Sequence, residues 1–133
     1  MRTKQLCVFG MRGSGKSYWA SKFIQKQKGK IAIFDPQHDY TNLGKLKKFI
    51  VYHPEGDESE EIYEEFADFV SKVVVDFDKQ KAKVKWLVID ECWMVAPPKP
   101  RKPAPYVNSI VFRGRHYGLN VIWISQRPTQ MNT

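Results

Sequence analysis

The sequence predicts an α/β fold in which helices cover both faces of a mainly parallel sheet, a three-layer sandwich. Short apolar runs alternate with helix-like segments along the chain, the pattern of repeated strand–helix units. The runs are typical of strands buried on both faces, as in parallel sheets. Polar side chains follow several runs directly. Because the carboxyl ends of parallel strands share one edge of a sheet, we expect a single site at that edge.

The apolar runs predict strands at residues 5–9, 31–34, 49–52, 84–90 and 119–125. Apolar residues at helical spacing predict helices at residues 17–28, 61–77 and 106–117. The inward stripe of the first helix is expected to contain Trp19, Ala20, Phe23, Ile24 and Gln27. Gly29 and Gly118 are expected to cap the first and third helices, and residues 43–48 fit either a short helix or a loop. No repeat or composition break divides the chain, so residues 1–133 are expected to form one domain.

The strongest functional signal is a glycine-rich loop between the first predicted strand and the first predicted helix. It matches G-x-x-x-x-G-K-[ST], and its flanks are those that confirm a phosphate-binding loop rather than an ordinary turn. Glycines let backbone N–H groups surround an anion, and the helix N-terminus adds positive charge. Lys16 is expected to reach the β- and γ-phosphates, and Ser17 to place its hydroxyl on Mg²⁺. The expected nucleotide contacts are Gly10, Met11, Arg12, Gly13, Ser14, Gly15, Lys16, Ser17 and Tyr18.

Two carboxylates and an amide follow later predicted strands. Asp90, held by a buried strand, is expected to ligate Mg²⁺ or its waters. Glu91 is expected to accept a proton from the water that attacks the γ-phosphate, although the sequence alone leaves open which carboxylate faces the metal and whether the pair only opens a surface turn. Gln126 is positioned to orient that water or to sense the γ-phosphate, with Ser125 as the weaker candidate. Local hydrogen bonding at a strand end is the alternative role for Gln126.

Composition constrains the partners and the compartment. The net charge of +8 indicates a polyanion, either nucleic acid or nucleotide phosphate. Acidic residues concentrate in residues 55–68, a stretch without lysine or arginine, whose helical face is either solvated or docks a partner. Residues 97–105 form a basic proline-rich segment that predicts an exposed, extended loop, either a linker or a DNA contact. No run is long enough for a membrane span, no secretory signal is present, and two cysteines make no disulfide framework, so a reducing cytoplasm is expected.

Further segments resemble the FtsK/HerA superfamily of DNA-pumping ATPases. Asp35-Pro36-Gln37-His38-Asp39-Tyr40 is similar to the Asp-Pro-x-x-Glu-Tyr element of that superfamily, with Asp39 where Glu is more common. Arg113-Gly114-Arg115-His116-Tyr117-Gly118-Leu119, followed by Ser125-Gln126-Arg127-Pro128, is similar to its fourth-strand region. Together with the phosphate loop and the Asp90-Glu91 pair, the resemblance covers nearly the whole chain.

The resemblance implies a RecA-like P-loop ATPase that works as a ring, usually a hexamer, and moves double-stranded DNA with ATP and Mg²⁺. Lys16 and Ser17 would bind phosphate and metal, Asp90 would support the metal, Glu91 would activate water and Gln126 would act as sensor. An arginine reaching the neighbouring subunit's site is also implied, and such residues are worth about 10³–10⁵ in rate. The candidates, each of which could instead be a surface charge, are Arg115, then Arg113 and Arg127.

The family core has a fifth strand that flanks the first, and the chain ends at Thr133. We expect either a piece of a longer protein, whose sheet lacks this strand here, or a minimal version that completes its sheet differently. Other functions stay open at this point. The chain could drive phage assembly or protein export, or it could be a structural subunit that binds nucleotide without hydrolysing it. A small-molecule kinase is disfavoured by the carboxylate pair and by the lack of a recognisable lid.

Overall fold

The structure, a computed structural model, describes residues 3–10, 15–97 and 101–125. The helices are α1 (Lys16–Gln25), α2 (Ser59–Phe69) and α3 (Val107–Tyr117). The strands are β1 (Gln5–Phe9), β2 (Ile31–Phe34), β3 (Phe49–Tyr52), β4 (Val75–Asp76), β5 (Lys81–Ala82), β6 (Trp86–Ile89) and β7 (Asn120–Ser125). Short 3₁₀ segments at Thr41–Lys45 and Cys92–Met94 complete these elements. Among the described residues, none of the helices has the length and apolarity that a membrane crossing requires.

The main sheet has five parallel strands in the order β1-β7-β6-β2-β3. One core layer packs α2 and α3 against one face of this sheet, and a second layer packs α1 against the other. The strands β2 and β6 are buried along their whole length, as short apolar strands covered on both faces should be. The predicted parallel α/β sandwich is therefore confirmed.

The first strand departs from the prediction of burial on both faces. In β1 exposed and half-buried residues alternate, and Phe9 at its carboxyl end is 42% exposed. The physical reason is its place in the sheet, because β1 pairs with β7 and no other strand of the described residues lies on its outer side. An apolar run in the sequence does not distinguish an edge strand from a central one.

The first helix is shorter than predicted. It ends at Gln25, and Lys26 rather than Gly29 is its C-cap. Ala20 and Ile24 are buried as expected. Trp19 is 45% exposed and was wrongly assigned to the inward stripe, although its ring stacks on that of Phe23 at 5.1 Å between centroids.

The acidic helix is also shorter than predicted, and a hairpin replaces its end. A capping box between Glu58 and Glu61 starts α2 at Ser59, and after Phe69 the chain continues as a π-helical turn, Val70–Val74. The chain then forms the antiparallel pair β4–β5 instead of continuing the helix to residue 77. Consecutive β-branched valines favour this exit, since they fit a strand better than a helix.

The proline-rich segment is exposed only in part. Arg101 and Lys102 are exposed as predicted, but Ala104 is buried and its N–H donates to the carbonyl oxygen of Val95 at 2.6 Å. The segment is therefore tied to the fold at its C-terminal side, and residues 98–100 lie outside the described part. The following helix α3 ends at Gly118, whose φ of 79° confirms the predicted left-handed cap.

Candidate functional site

The predicted site residues converge because parallel strands end at one edge of the sheet. The N–H of Gly10, directly after β1, donates to the carbonyl oxygen of Ser125 in β7 at 3.2 Å. The N–H of Asp90 donates to the carbonyl oxygen of Phe34 at 3.1 Å, which continues the β6–β2 pairing. The segments after β1, β2 and β6 therefore start from neighbouring points.

Lys16 and Glu91 form the central contact of this edge. Gly15 precedes α1 with a φ of 85°, and this left-handed turn starts the helix at Lys16. The Nζ atom of Lys16 lies 3.4 Å from Oε1 of Glu91, and the two side chains are 9% and 1% exposed. The phosphate-loop lysine and the predicted water-activating carboxylate are thus an ion pair in a largely dry environment.

Glu91 is held in an uncommon conformation. Its φ of 50° and ψ of 51° lie in the left-handed region, which disfavours residues with a side chain. The indole Nε1–H of Trp93 donates to Oε2 of Glu91 at 2.8 Å, while Oε1 faces Lys16. Both carboxylate oxygens are therefore engaged, and the strained backbone turns the carboxylate toward the phosphate loop. Strain of this kind, of about 1–3 kcal/mol, concentrates at functional sites.

Asp90 is buried without satisfying its own carboxylate. It is 1% exposed, and neither Oδ1 nor Oδ2 has a hydrogen-bond partner among the described residues. Burial first, and then the negative charges of Glu91, Asp39 and Asp35, raise the pKa of Asp90 to about 7. An uncompensated buried carboxylate is costly, so this group fits a cation site better than a structural role.

Asp35 organises the turn that follows β2. Its Oδ1 accepts the N–H of Asp39 and its Oδ2 accepts the N–H of Tyr40, both at 3.0 Å. The ring Nδ1 of His53 lies 2.9 Å from the carbonyl oxygen of Asp35 and 3.3 Å from its Oδ2. Burial raises the pKa of Asp35 from its ordinary value, although the two N–H donors oppose this rise. The turn is thus fixed by a buried carboxylate.

This turn places two residues at the site that the sequence analysis did not assign to it. The Oγ–H of Ser17 donates to Oδ2 of Asp39 at 3.2 Å. The hydroxyl of Tyr40 is buried without a hydrogen bond of good geometry in the described part of the chain. Burial, and then the charge of Asp90, raise the pKa of Tyr40, with Ser17 as the neighbouring hydroxyl. The sequence signal for these two residues is the Asp-Pro-x-x-Asp-Tyr element, which also carries the family resemblance.

The structure brings together Lys16, Ser17, Asp90 and Glu91, with Asp39 beside them. Tyr18 lies on α1 with 68% exposure, and its described contact is with the ammonium of Lys22. Met11, Arg12, Gly13, Ser14, Gln126 and Arg127 lie outside the described residues.

The arginines Arg113 and Arg115 are exposed on α3. Arg115 is in the last turn of that helix, close to the amino end of β7 and to Lys30 and Lys85. In its own subunit it therefore lies at the opposite edge of the sheet from Lys16. An arginine that acts in a neighbouring subunit is not tested by a single chain, so that role stays a prediction.

Comparisons with known proteins identify a matching family. A model of the family described as the central domain of the helicase HerA matches residues 1–103. A search of curated proteins found no match.

Solved structures share the fold. The genome-packaging NTPase B204 of Sulfolobus turreted icosahedral virus 2, in complex with ATP-gammaS, superposes with a TM-score of 0.71 at 20% identity over 99% of this chain and 69% of that one. The DNA-packaging ATPase B204 of Sulfolobus turreted icosahedral virus gives 0.71 at 19% identity, over 98% and 70%. EccC of Thermomonospora curvata (ATPases 2 and 3), in complex with a signal sequence peptide, gives 0.59 at 16% identity, over 93% and 25%.

At these identities the superpositions establish the fold, and the family model establishes the relationship. Its match covers the phosphate loop, the turn after β2 and the Asp90-Glu91 pair, and thus most of the chain. The chain belongs to the HerA helicase central-domain family, within the FtsK/HerA P-loop ATPases.

Proposed function

We propose that this chain is the Mg²⁺-dependent ATPase domain of a motor that translocates or packages double-stranded DNA. The observation that carries the proposal is the ion pair between Lys16 and Glu91, next to the unsatisfied carboxylate of Asp90. The pair supports a site in which Lys16 binds phosphate, Glu91 acts as base and Asp90 ligates the metal at one edge of the sheet. A purely structural nucleotide-binding subunit has no need of the base.

The residues of this edge suit a nucleotide-bound Mg²⁺. Ser17 and Asp90 would hold it, and Asp39, which accepts the hydroxyl proton of Ser17, is the adjacent carboxylate. The described residues contain no group of three or more histidine, cysteine, aspartate or glutamate side chains suited to a metal. Mg²⁺ binds through one or two carboxylates and completes its shell with phosphate oxygens and water. Bound with ATP, the ion neutralises charge on the β- and γ-phosphates.

The contacts of Glu91 support a role as general base. In the proposed reaction Lys16 contacts the phosphates, and Oε1 of Glu91 then becomes available to accept a proton from water. Trp93 continues to hold Oε2 and so keeps the carboxylate oriented. Because the side chain of Glu91 is 1% exposed, bulk water does not compete for this oxygen.

The remaining assignments belong to the same proposal. The backbone from Gly10 to Ser17, followed by Tyr18, cradles the phosphates, and Gln126 senses the γ-phosphate. Arg115 acts in the site of a neighbouring subunit within a homo-oligomeric, hexameric ring in the cytoplasm. Residues 1–133 form one ATPase domain. A DNA cargo is supported by the net charge of +8 and by the DNA-packaging role of the B204 ATPase, which shares the fold.

The test is phosphate release from Mg·ATP by the full chain, with and without linear duplex DNA of mixed sequence. We expect hydrolysis that duplex DNA stimulates and that the Glu91→Gln variant lacks. Hydrolysis without DNA stimulation would favour a protein-exporting motor, a cargo suggested by the EccC structure with its signal peptide. Nucleotide binding without any hydrolysis would favour a structural subunit and would refute the proposal.

A further inference from the structure

A basic cleft lies at the amino edge of the sheet, opposite the phosphate site. It has a volume of about 580 Å³ and is lined by Lys30, Lys81, Lys83, Lys85 and Arg115 together with His116. A neighbouring depression of about 490 Å³ shares Gly29 and Lys85 with it and adds Lys26 and Lys28. Together the two depressions form the basic cleft.

The charge of the basic cleft is not compensated locally. No aspartate or glutamate lines either depression. Among the described residues, the ion pairs are Lys16–Glu91, His53–Asp35 and Lys72–Asp68, and none involves a cation of the cleft. The nearest acids along the chain, Asp76 and Asp78, belong to the β4–β5 hairpin, where Asp76 accepts the backbone N–H of Lys79.

Helix dipoles account for only a small part of this charge. The C-terminal ends of α1 and α3 lie at this edge, and each carries about half a negative charge. Together they offset roughly one of the cations. The ammonium of Lys83 donates a hydrogen bond to the carbonyl oxygen of Lys72 at 3.0 Å. Because that carbonyl is neutral, the charge of Lys83 stays uncompensated.

Two cations of the cleft are held at the entries to neighbouring strands of the sheet. The N–H of Lys85 donates to the carbonyl oxygen of Lys30 at 2.8 Å, so the entries to β6 and β2 hold these lysines side by side. Gly29 has a φ of 90°, and a side chain there would collide with Cγ of Lys85. The glycine thus lets the stem of Lys85 lie across the chain. Two of the cations are therefore positioned by backbone pairing.

The basic cleft is separate from the phosphate site. Lys30 precedes β2 and Asp35 follows it, and Lys85 and Asp90 bracket β6 in the same way. Five residue steps of a strand span roughly 16 Å at about 3.3 Å per residue. A nucleotide triphosphate held by Lys16 therefore does not reach these lysines.

We propose that the lysines of the basic cleft bind the phosphodiester backbone of a nucleic acid independently of base sequence. Clustered lysines without acids match a chain of evenly spaced phosphates, each neutralised by one cation. The choice of nucleic acid as partner rests on the proposed function, and the location of the contact is new. It differs from the proline-rich segment, whose Arg101 and Lys102 lie outside the cleft.

The test uses the full chain with Lys30, Lys83 and Lys85 all replaced by Gln, which leaves every proposed catalytic residue intact. The probes are a fluorescent 30-base-pair duplex of mixed sequence and a single strand of the same length, titrated from about 50 to 200 mM KCl, the range over which phosphate contacts lose affinity steeply. We expect the slope of log K against log salt to become shallower by about 2–3 for duplex or about 2 for single strand. The nucleic acid whose salt slope changes more, duplex or single strand, is the one that the cleft binds.

A matched control replaces Lys22, Lys45 and Lys72, which are exposed and do not line the cleft, by Gln. The control should keep the wild-type slope, and basal ATP hydrolysis should be the same in both variants. An unchanged slope in the cleft variant, or equal changes in both triple variants, overturns the proposal.

Two further outcomes also overturn it. One is a loss of slope when Lys99, Arg101 and Lys102 are neutralised instead of the cleft lysines. The other is a change in oligomeric state of the cleft variant, seen by gel filtration, with DNA binding intact, which would indicate an acidic protein partner such as α2 of a second copy. Absence of ATP hydrolysis in the wild type would count against the proposed function and leave this binding result standing.

Discussion

The Nζ atom of Lys16 lies 3.4 Å from Oε1 of Glu91, so the lysine expected on the γ-phosphate and the carboxylate expected to activate water contact each other. The pair couples the two halves of the proposed reaction. In that reaction, movement of Lys16 to the phosphates would free Oε1 of Glu91 to accept a proton from water. Trp93 keeps the other oxygen in place.

Replacing Glu91 with Gln should abolish turnover but preserve nucleotide binding. The amide keeps the shape of the side chain and cannot accept the proton, and a general base typically contributes about 10²–10⁴ in rate. Fluorescent-ATP binding and phosphate release, measured on the same preparation, check this expectation. Glu64→Gln, on the exposed side of α2, is the control that should leave both unchanged. Near-normal hydrolysis by Glu91→Gln would remove the residue from the role of base.

Replacing Lys16 with Ala should weaken nucleotide binding by about 10- to 150-fold, the equivalent of one charge-assisted hydrogen bond of about 1.5–3 kcal/mol. The change also leaves Glu91 buried without its cation, so urea unfolding is measured in parallel. Lys16→Gln, which retains polarity at the site, separates lost binding from lost folding. Lys22→Ala on the exposed side of α1 is the control. Wild-type affinity in a folded Lys16 variant would show that the lysine does not contact the phosphates.

The parts of the site that could be predicted are those with local sequence signals. Lys16 and Ser17 follow from a loop with fixed glycine spacing, and Asp90 from its place after a buried strand. Asp39 was missed because its role depends on Asp35, which accepts the N–H groups of the turn and directs Asp39 at Ser17. Contacts of this kind join segments distant in sequence, and periodicity carries no information about them.

The fold, like the site, could be predicted where the sequence signal is local and not where the outcome depends on pairing between distant segments. Alternating strands and helices were sufficient for the parallel sheet, because burial dictates that pattern. The exposure of Phe9 depends on which strand lies beside β1, a property of the assembled sheet. The early end of α2 depends on whether Val74 and Val75 find a strand partner, and Val75 does so opposite Ala82. Helix and strand compete closely in such valine-rich segments, and tertiary pairing decides between them.

Replacing Asp39 with Asn should weaken nucleotide binding in the presence of Mg²⁺ and leave Mg²⁺-independent binding unchanged. The amide keeps a hydrogen bond with Ser17 but supplies no negative charge to a cation. The measurement is nucleotide affinity as a function of Mg²⁺ concentration, with EDTA as the metal-free reference. Asp57→Asn in the exposed loop before α2 serves as the control. Identical Mg²⁺ curves for Asp39→Asn and wild type would contradict a metal-side role.

Asp90 should make stability fall as pH rises. Burial raises the pKa of Asp90 to about 7 in the folded chain, whereas an ordinary aspartate titrates near 3.9. The folded state therefore binds the proton more tightly than the unfolded state. The resulting stabilisation is complete below about pH 4 and is lost as pH rises to about 7.

Asp90→Asn removes this loss because the amide is neutral at every pH. In EDTA and without nucleotide, we expect the variant to be more stable than wild type at pH 8, by about 2–4 kcal/mol, and not at pH 4. Urea unfolding across this range measures the difference, with Asp57→Asn as the control. Parallel stability curves for Asp90→Asn and wild type would show that this carboxylate titrates normally.

Replacing Asp35 with Ala should both destabilise the fold and weaken Mg²⁺·nucleotide binding. The change leaves the N–H groups of Asp39 and Tyr40 without their acceptor in a partly buried turn, at about 1–3 kcal/mol each. Asp39 then loses the geometry that directs it at Ser17. Asp76→Ala is a matched control, because Asp76 accepts a single exposed N–H, that of Lys79, in the hairpin turn.

Urea unfolding and Mg²⁺-dependent nucleotide affinity together separate the two effects of the Asp35 change. The control should lose less stability and no affinity. Affinity is measured without urea, at a temperature where Asp35→Ala remains folded. Its affinity for Mg²⁺·nucleotide should then match that of Asp39→Asn, since both changes act through the carboxylate of Asp39. If Asp35→Ala loses stability but binds Mg²⁺·nucleotide like wild type, Asp35 supports only the fold and does not position Asp39.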